Sequence, residues 1–90
     1  PSHRPFTVGF AAETHEVLHY AEEKRRRKNL DLIAANQVGI VGSGFESEQN
    51  ALHVLWEGGE KLLPMTDKIR LGQQLIALIA ERYQVWNTKN

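Results

Sequence analysis

The stretch from Val8 to Asn36 constrains the fold of this chain more than any other. It reads VGFAAETHEVLHYAEEKRRRKNLDLIAAN. The apolar runs at its two ends predict strands, and the segment between them has the composition of a helix that becomes strongly basic. A strand, a helix and a second strand in this order predict a βαβ unit with two parallel strands.

The two predicted strands end alike, in small apolar residues followed by one polar residue, Glu13 or Asn36. A right-handed crossover brings both strand ends to one edge of the sheet. Ligands of open α/β sheets bind in the crevice outside that edge. We therefore expect the chemistry of this protein near Glu13 and Asn36, and Glu13 is a candidate general base there.

The helix of this unit has clear end signals. Thr14 is the predicted N-cap, Lys24 to Lys28 place five cations near the negative end of the helix dipole, and Asn29 is the predicted terminator. The basic run is thus partly explained as a feature that stabilises the helix.

The spacing of the lysines indicates more than helix stabilisation. Val17, Ala21, Lys24 and Lys28 follow the pattern i, i+4, i+7, i+11 and share one helix face. A lysine on an apolar face lays its stem on the sheet and extends its ammonium beyond it. Two such ammonium groups repel unless an anion or solvent lies between them. The pattern predicts an anion site at Lys24 and Lys28, with a solvated helix end as the alternative.

The second half of the chain predicts a hairpin and a helix. Gln37 to Asn50 reads as a loop, and it lacks the glycine spacing of the known phosphate-binding loops. Apolar runs at Ala51–Trp56 and Lys61–Leu63 flank a Gly-Gly pair, which is a strong hairpin signal. Pro64 is expected to close the second strand, and Thr66 to cap the last helix.

The last helix is expected to pack on the sheet through one apolar stripe. The stripe consists of Ile69, Gly72, Ile76, Ile79 and Tyr83, widened by Leu75 and Leu78. Gly72 in the stripe predicts close packing. Gly9, inside the first strand, marks either close approach of a ligand or backbone, or room for helix packing.

The complete pattern is β-α-β-β-β-α, an α/β fold with a mixed sheet. Ninety residues allow one small domain. The chain begins at Pro1 and reaches a predicted buried strand almost at once, so we expect a processed or trimmed piece of a larger sheet.

Composition excludes several function classes. The chain has no cysteine, which removes disulfides and thiolate catalysis. Lys+Arg and Asp+Glu cancel at eleven each, so no overall field attracts nucleic acid or membrane. No apolar run reaches membrane-spanning length and no signal peptide pattern is present. We expect a cytoplasmic protein.

Two weaker motifs lie in the same helix as the lysines. His15 and His19 have the i,i+4 spacing of a two-histidine metal site, but the sequence around them supplies no third ligand, and we predict no metal ligands in this chain. The run KRRRK also has the composition of a nucleic-acid patch, although Glu22 and Glu23 dilute it.

Four runs of the sequence resemble a known family. VGFAAET, EEKRRRKNLDLIAAN, GFESEQNALHVLW and LLPMTDKIRLGQQLIALI are similar to the C-terminal part of phosphopantothenate–cysteine ligase, of the DNA/pantothenate metabolism flavoproteins. The resemblance covers nearly the whole chain, and it implies that residues 1–90 are a C-terminal fragment of a modified dinucleotide-binding (Rossmann-like) domain.

The resemblance also implies a reaction. The ligase activates the carboxylate of 4′-phosphopantothenate with CTP, which gives an acyl-cytidylate and pyrophosphate, and the cysteine amine then displaces CMP. Family members use Mg²⁺, are commonly homo-oligomers, and often carry an FMN-binding decarboxylase half. Other essential segments of the ligase are absent here, so we expect the fragment alone to be inactive.

Three CTP-contacting positions of the family fall in this chain, at Phe10, Lys24 and Lys28, and all three residue types match. Phe10 is expected to line the nucleotide pocket, and the lysines to neutralise anionic or polar groups. One geometric difficulty accompanies this assignment. In a straight βαβ unit the helix ends at the opposite sheet edge from Glu13, so Phe10 and Lys28 share a nucleotide only if the helix ends early or the ligand reaches along it.

Two alternatives remain open at this point. One is an α/β enzyme that uses a different nucleotide. The other is a stand-alone basic nucleotide- or nucleic-acid-binding module without catalysis.

Overall fold

A computed structural model describes residues 4–39 and 49–89 of the chain. The elements are β1 (Val8–Glu13), α1 (Val17–Arg27), β2 (Leu32–Gln37), β3 (Gln49–Trp56), β4 (Gly59–Asp67) and α2 (Lys68–Lys89). The strands form one sheet in the order β1-β2-β3-β4. β1 and β2 are parallel, whereas β2–β3 and β3–β4 are antiparallel. The predicted α/β class, element order and mixed sheet are confirmed.

The two helices cover opposite faces of the sheet. Alternate residues of a strand face opposite sides, and the core therefore divides into two clusters. On one face α1 packs with Val17, Ala21, Ile33, Ala35 and Leu55. On the other face α2 packs with Leu32, Ala34, Val54, Leu63, Leu71, Leu75 and Leu78. These faces are called the α1 face and the α2 face below.

The ends of α1 differ from expectation at one terminus only. The helix begins at Val17, and its N-cap is Glu16 in the left-handed region (φ 44°) rather than Thr14, whose hydroxyl pairs with His15 Nδ1 at 3.0 Å. At the other end Asn29 has φ 55° and its N–H donates to Arg26 O, while Leu30 N–H donates to Arg25 O. This is a Schellman motif, so the prediction that Asn29 terminates the helix is confirmed.

The hairpin is confirmed, but its second strand is longer than predicted. Gly58 occupies the turn with φ 87°, and β4 continues through Pro64 to Asp67. The pairs Leu52↔Leu63 and Asn50↔Thr66 leave a register shift opposite Pro64. An edge strand at an irregularity tolerates the missing N–H of a proline, so the prediction that Pro64 closes the strand was wrong.

The last helix was predicted with the wrong cap, and its predicted stripe is right at Leu75 and Leu78 but wrong at Ile69 and Ile76. Asp67, not Thr66, caps it, because Asp67 Oδ1 accepts from Arg70 N–H at 2.8 Å. Its buried side chains are Leu71, Leu75 and Leu78, whereas Ile69 and Ile76 are 78% and 70% exposed. A Cβ added to Gly72 would meet nothing within 4 Å, so the predicted close packing at Gly72 is also wrong.

Candidate functional site at the carboxyl edge of the parallel strands

Glu13 and Lys24 form a close ion pair at the carboxyl edge of β1. Lys24 Nζ lies 2.6 Å from Glu13 Oε2, and the two side chains are 33% and 10% exposed. Apart from this contact, Glu13 Oε2 has no hydrogen-bond partner among the described residues. The sequence predicted an anion site at Lys24 and Lys28. For Lys24, one such anion is the buried carboxylate of Glu13 in the same chain.

The direction of α1 explains how a lysine from its last turns reaches this edge. α1 runs antiparallel to β1, so its first residue, Val17, lies nearest the carboxyl edge. Lys24 stands two turns further along, about 10 Å by helix geometry. Side chains on a helix tilt toward its N-terminus, so the extended stem of Lys24 points back toward Glu13. The geometric difficulty raised by the sequence concerns Phe10 and Lys28, and the position of Lys24 leaves it in place for Lys28.

Asn36 is a second buried polar side chain at the same edge. It is 5% exposed and pairs across the strands with Ala12, next to the pair Glu13↔Gln37. Its Nδ2 donates to Asn50 Oδ1 at 3.0 Å, but its Oδ1 has no hydrogen-bond partner among the described residues. Buried polar atoms are usually paired. Among the buried side-chain atoms of the described residues, Asn36 Oδ1 makes no hydrogen bond and Glu13 Oε2 has only its ion pair with Lys24. Both atoms lie at the edge where ligands of such sheets bind.

Phe10 is exposed and lies on the other side of the sheet from Lys24. It is 69% exposed and pairs with Ala34, which belongs to the α2-face cluster. Glu13 lies three positions further along β1 and therefore faces the α1 side. The structure does not bring Phe10 and Lys24 together on one face. A ligand that touches both must lie over the edge of β1, which is an edge strand of the described sheet.

Lys28 is the C-cap of α1 and is exposed. It lies one helical turn beyond Lys24, and its backbone N–H donates to Lys24 O at 3.0 Å. The structure therefore places Lys24 at the carboxyl edge and Lys28 further away along the helix, with its ammonium accessible to solvent.

Sequence patterning missed Arg25, the basic side chain of α1 that is buried. Arg25 is 8% exposed, and its guanidinium binds both carboxylate oxygens of Glu22, at 2.8 and 2.7 Å, and Leu30 O at 3.2 Å. The hydrogen bond from Arg25 lowers the pKa of Glu22 to about 2. The i,i+4,i+8 spacing of Val17, Ala21 and Arg25 was the signal that could have identified it.

Gly9 marks packing rather than ligand approach. A Cβ at this position would overlap Leu30 Cδ1, a side chain that packs against the α1-face cluster. Of the two alternatives for Gly9, the structure therefore favours room for packing between β1 and the segment that follows α1.

A cavity of about 280 Å³ lies at the opposite edge of the sheet. Asp31 there binds Arg4 through two hydrogen bonds of 2.8 Å and also accepts from Thr7. Burial acts to raise the pKa of Asp31, but the hydrogen bonds from Arg4 and Thr7 outweigh it and the pKa is lowered. Arg82 stacks over Trp56 at 4.7 Å. Arg4 and Arg82 at this cavity, like Lys24 at the carboxyl edge, therefore already have partners within the chain.

The described residues do not form a cation site. No group of three potential metal ligands occurs among them. The rings of His15 and His19 instead pack edge-on against Tyr20, with centroids 5.4 and 5.1 Å apart. Glu13, the buried carboxylate at the carboxyl edge, is paired with a lysine, which disfavours Mg²⁺. No described helix is both long and apolar enough to cross a membrane.

The fold and the edge define a class of protein, an α/β domain with a basic, polar site outside a pair of parallel strands. The comparisons with known proteins make the class specific. A family model described as the DNA/pantothenate metabolism flavoprotein C-terminal domain matches residues 1–83. The chain belongs to this family, and the resemblance found in the sequence is confirmed.

The relatives that match are enzymes of coenzyme A biosynthesis by name. The "Coenzyme A biosynthesis bifunctional protein CoaBC" of Escherichia coli K12 is 53% identical over 87 residues, which is 97% of this chain and 21% of the relative. The proteins of the same name from Vibrio cholerae and Bacillus subtilis are 53% identical over 79 residues and 42% over 74, covering 88% and 81% of this chain but 20% and 18% of the relatives. The chain thus spans about a fifth of the length of these relatives.

Proposed function

We propose that this chain carries part of the CTP site of a phosphopantothenate–cysteine ligase that acts in coenzyme A biosynthesis. The observation that carries the proposal is the position of Lys24, whose ammonium reaches the carboxyl edge of β1 from the far half of α1. Family membership and the names of the relatives support the pathway.

The three site residues have separable roles in this proposal. Lys24 and Lys28 neutralise anionic groups of the nucleotide, for which a compact ammonium with three donors is well suited. Phe10 offers an exposed ring as an apolar wall for the nucleotide. Because Phe10 and Lys24 lie on opposite faces, the nucleotide lies across the edge of β1 and is held jointly with the rest of the parent polypeptide.

The other groups belong to the parent protein. Mg²⁺ is commonly bound through substrate phosphates, which fits the absence of a ligand cluster among the described residues. FMN belongs to a decarboxylase half outside this chain, and 4′-phosphopantothenate and cysteine are the remaining substrates. The cytoplasmic location and the homo-oligomeric parent also stay predictions.

The charge pairing within α1 argues against the alternative of a nucleic-acid module. Glu22 binds both Arg25 and Arg26. Two of the three arginines of the KRRRK run, the residues that would contact a phosphate backbone, are therefore already paired within the helix.

Nucleotide preference in the full-length protein tests the proposal. Pyrophosphate release that depends on both 4′-phosphopantothenate and cysteine is measured with CTP and with ATP. We expect a higher kcat/KM with CTP, and no turnover by the purified 90-residue chain. Equal use of ATP would contradict the CTP assignment, and turnover by the chain alone would contradict the claim that essential parts lie elsewhere.

A further inference from the structure

We infer that Glu13 is a positioning residue of the nucleotide site, which it serves by holding the Lys24 ammonium at the carboxyl edge. This inference rests on the proposed function. It gives a role to a buried carboxylate that the assigned CTP contacts, Phe10, Lys24 and Lys28, leave unexplained.

The first argument is burial and reach. Glu13 is 8% exposed, so its carboxylate is fixed at the end of β1, whereas Lys24 remains one-third exposed. A lysine side chain has about 2 kcal/mol of rotamer entropy that it loses when it is held in one geometry. The ion pair removes that freedom in the folded protein before any nucleotide arrives.

The second argument is the hydrogen bonding that the pair leaves open. The ammonium of Lys24 has three donors, and its contact with the single oxygen Glu13 Oε2 at 2.6 Å engages one of them. Glu13 therefore anchors the ammonium and leaves its other donors for a ligand. An anionic oxygen of the nucleotide completes this arrangement better than the carboxylate alone does.

The third argument is the contrast with the other ion pairs of α1. Arg25 and Glu22 share two well-aligned hydrogen bonds, and Arg25 also donates to Leu30 O, so that pair closes the end of the helix. The Glu13–Lys24 pair instead links the last turns of α1 to the strand end where the ligand crevice lies. An ion pair that only stabilised the fold would not require a partly exposed lysine at the edge where the ligand crevice lies.

Glu13→Gln in the full-length enzyme tests the inference, because it keeps the shape of the side chain and removes the charge. We expect the KM for CTP to rise by up to about thirty-fold, which is the size of the lysine rotamer entropy expressed as affinity, with the KM for 4′-phosphopantothenate within two-fold of wild type. In a Lys24→Gln background, Glu13→Gln should raise the KM for CTP no further, because Glu13 acts through Lys24.

Asp31→Asn is the matched control, since Asp31 is also a strand-end carboxylate in an ion pair, but it lies at the opposite edge with Arg4. It should lower the thermal midpoint and leave the KM for CTP unchanged. If Lys24→Gln raises the KM for CTP and Glu13→Gln does not, the inference fails while the proposed function stands. Equal effects of Glu13→Gln in both backgrounds would likewise overturn it. If Lys24→Gln itself has no effect, the nucleotide assignment fails.

Discussion

At the scale of single residues, the basic end of α1 contains two kinds of cation. Arg25 and Arg26 form ion pairs with Glu22 and stabilise the helix. The side chain of Lys24 instead extends away from the helix and forms an ion pair with Glu13 at the end of β1. The lysine spacing in the sequence identified Lys24 but gave no indication of its partner, because Glu13 lies on another element. Phe10 came only from family resemblance, since an aromatic residue in a strand is ordinarily part of the core.

The Glu22 pair predicts a pH dependence of stability. The pKa of Glu22 is lowered to about 2 in the folded protein, mainly by hydrogen bonding to Arg25. A carboxyl group whose pKa is lower in the folded than in the unfolded protein stabilises the fold at pH values above its unfolded pKa. This stabilisation is lost as the pH falls through the folded-state pKa. Glu22→Gln should therefore lower the free energy of unfolding at pH 7 by about 1–2 kcal/mol, allowing for solvent screening.

Chemical denaturation between pH 7 and pH 2 measures this effect. The difference between wild type and Glu22→Gln should shrink as the pH falls from about 5 toward 2. Glu23→Gln, which changes an exposed neighbour, is the control and should stay within about 0.5 kcal/mol of wild type. A constant difference across the whole range would contradict the assigned pKa.

At the scale of elements, the order and type of all six follow from the sequence, but the stripe predicted for α2 is only partly right. Ile69, Ile76 and Tyr83 follow helical spacing as well as Leu71, Leu75 and Leu78 do, so periodicity alone did not decide between two overlapping stripes. In the structure α2 starts at Lys68 after Asp67, and the three leucines face the sheet. The prediction that Pro64 ends its strand was wrong because the edge position of β4 and the register shift are properties of the assembled sheet, which the local sequence does not show.

Two adjacent substitutions in α2 test which stripe faces the core. Leu75→Ala should destabilise the protein by about 2–5 kcal/mol, because Leu75 is buried between α2 and the sheet. Ile76→Ala, one position further and 70% exposed, should change stability by no more than about 0.5 kcal/mol. Denaturant titration of both variants gives the two values. The reverse order of the two losses would contradict the packing of Leu75, rather than Ile76, against the sheet.

At the scale of the whole molecule, the chain matches one part of longer relatives. It spans about a fifth of its relatives' length, and β1 is an edge strand of the described sheet. The sequence was sufficient for the βαβ unit and for the shared carboxyl edge of its strands, because those follow from local periodicity and the handedness of crossovers. The sequence did not reveal that Phe10 and Lys24 lie on opposite faces, which follows only from strand register.

The ends of the loop predicted at Gln37–Asn50 could not be located from the sequence pattern alone. Gln37 belongs to β2, and Gln49 and Asn50 belong to β3, so the strands extend into both ends of the predicted loop. The glycines Gly42 and Gly44 lie outside the described residues.

The central claim is that Lys24 binds the nucleotide, and one measurement tests it most directly. The KM for CTP is determined in the full-length enzyme for Lys24→Gln and for Arg27→Gln, which removes one charge from an exposed position of the same helix turn. Lys24→Gln should raise the KM about ten-fold or more, as expected for the loss of a hydrogen bond to a charged group, and Lys28→Gln should act in the same direction. Arg27→Gln should leave the KM within two-fold of wild type. An unchanged KM for CTP in folded Lys24→Gln enzyme would contradict the account.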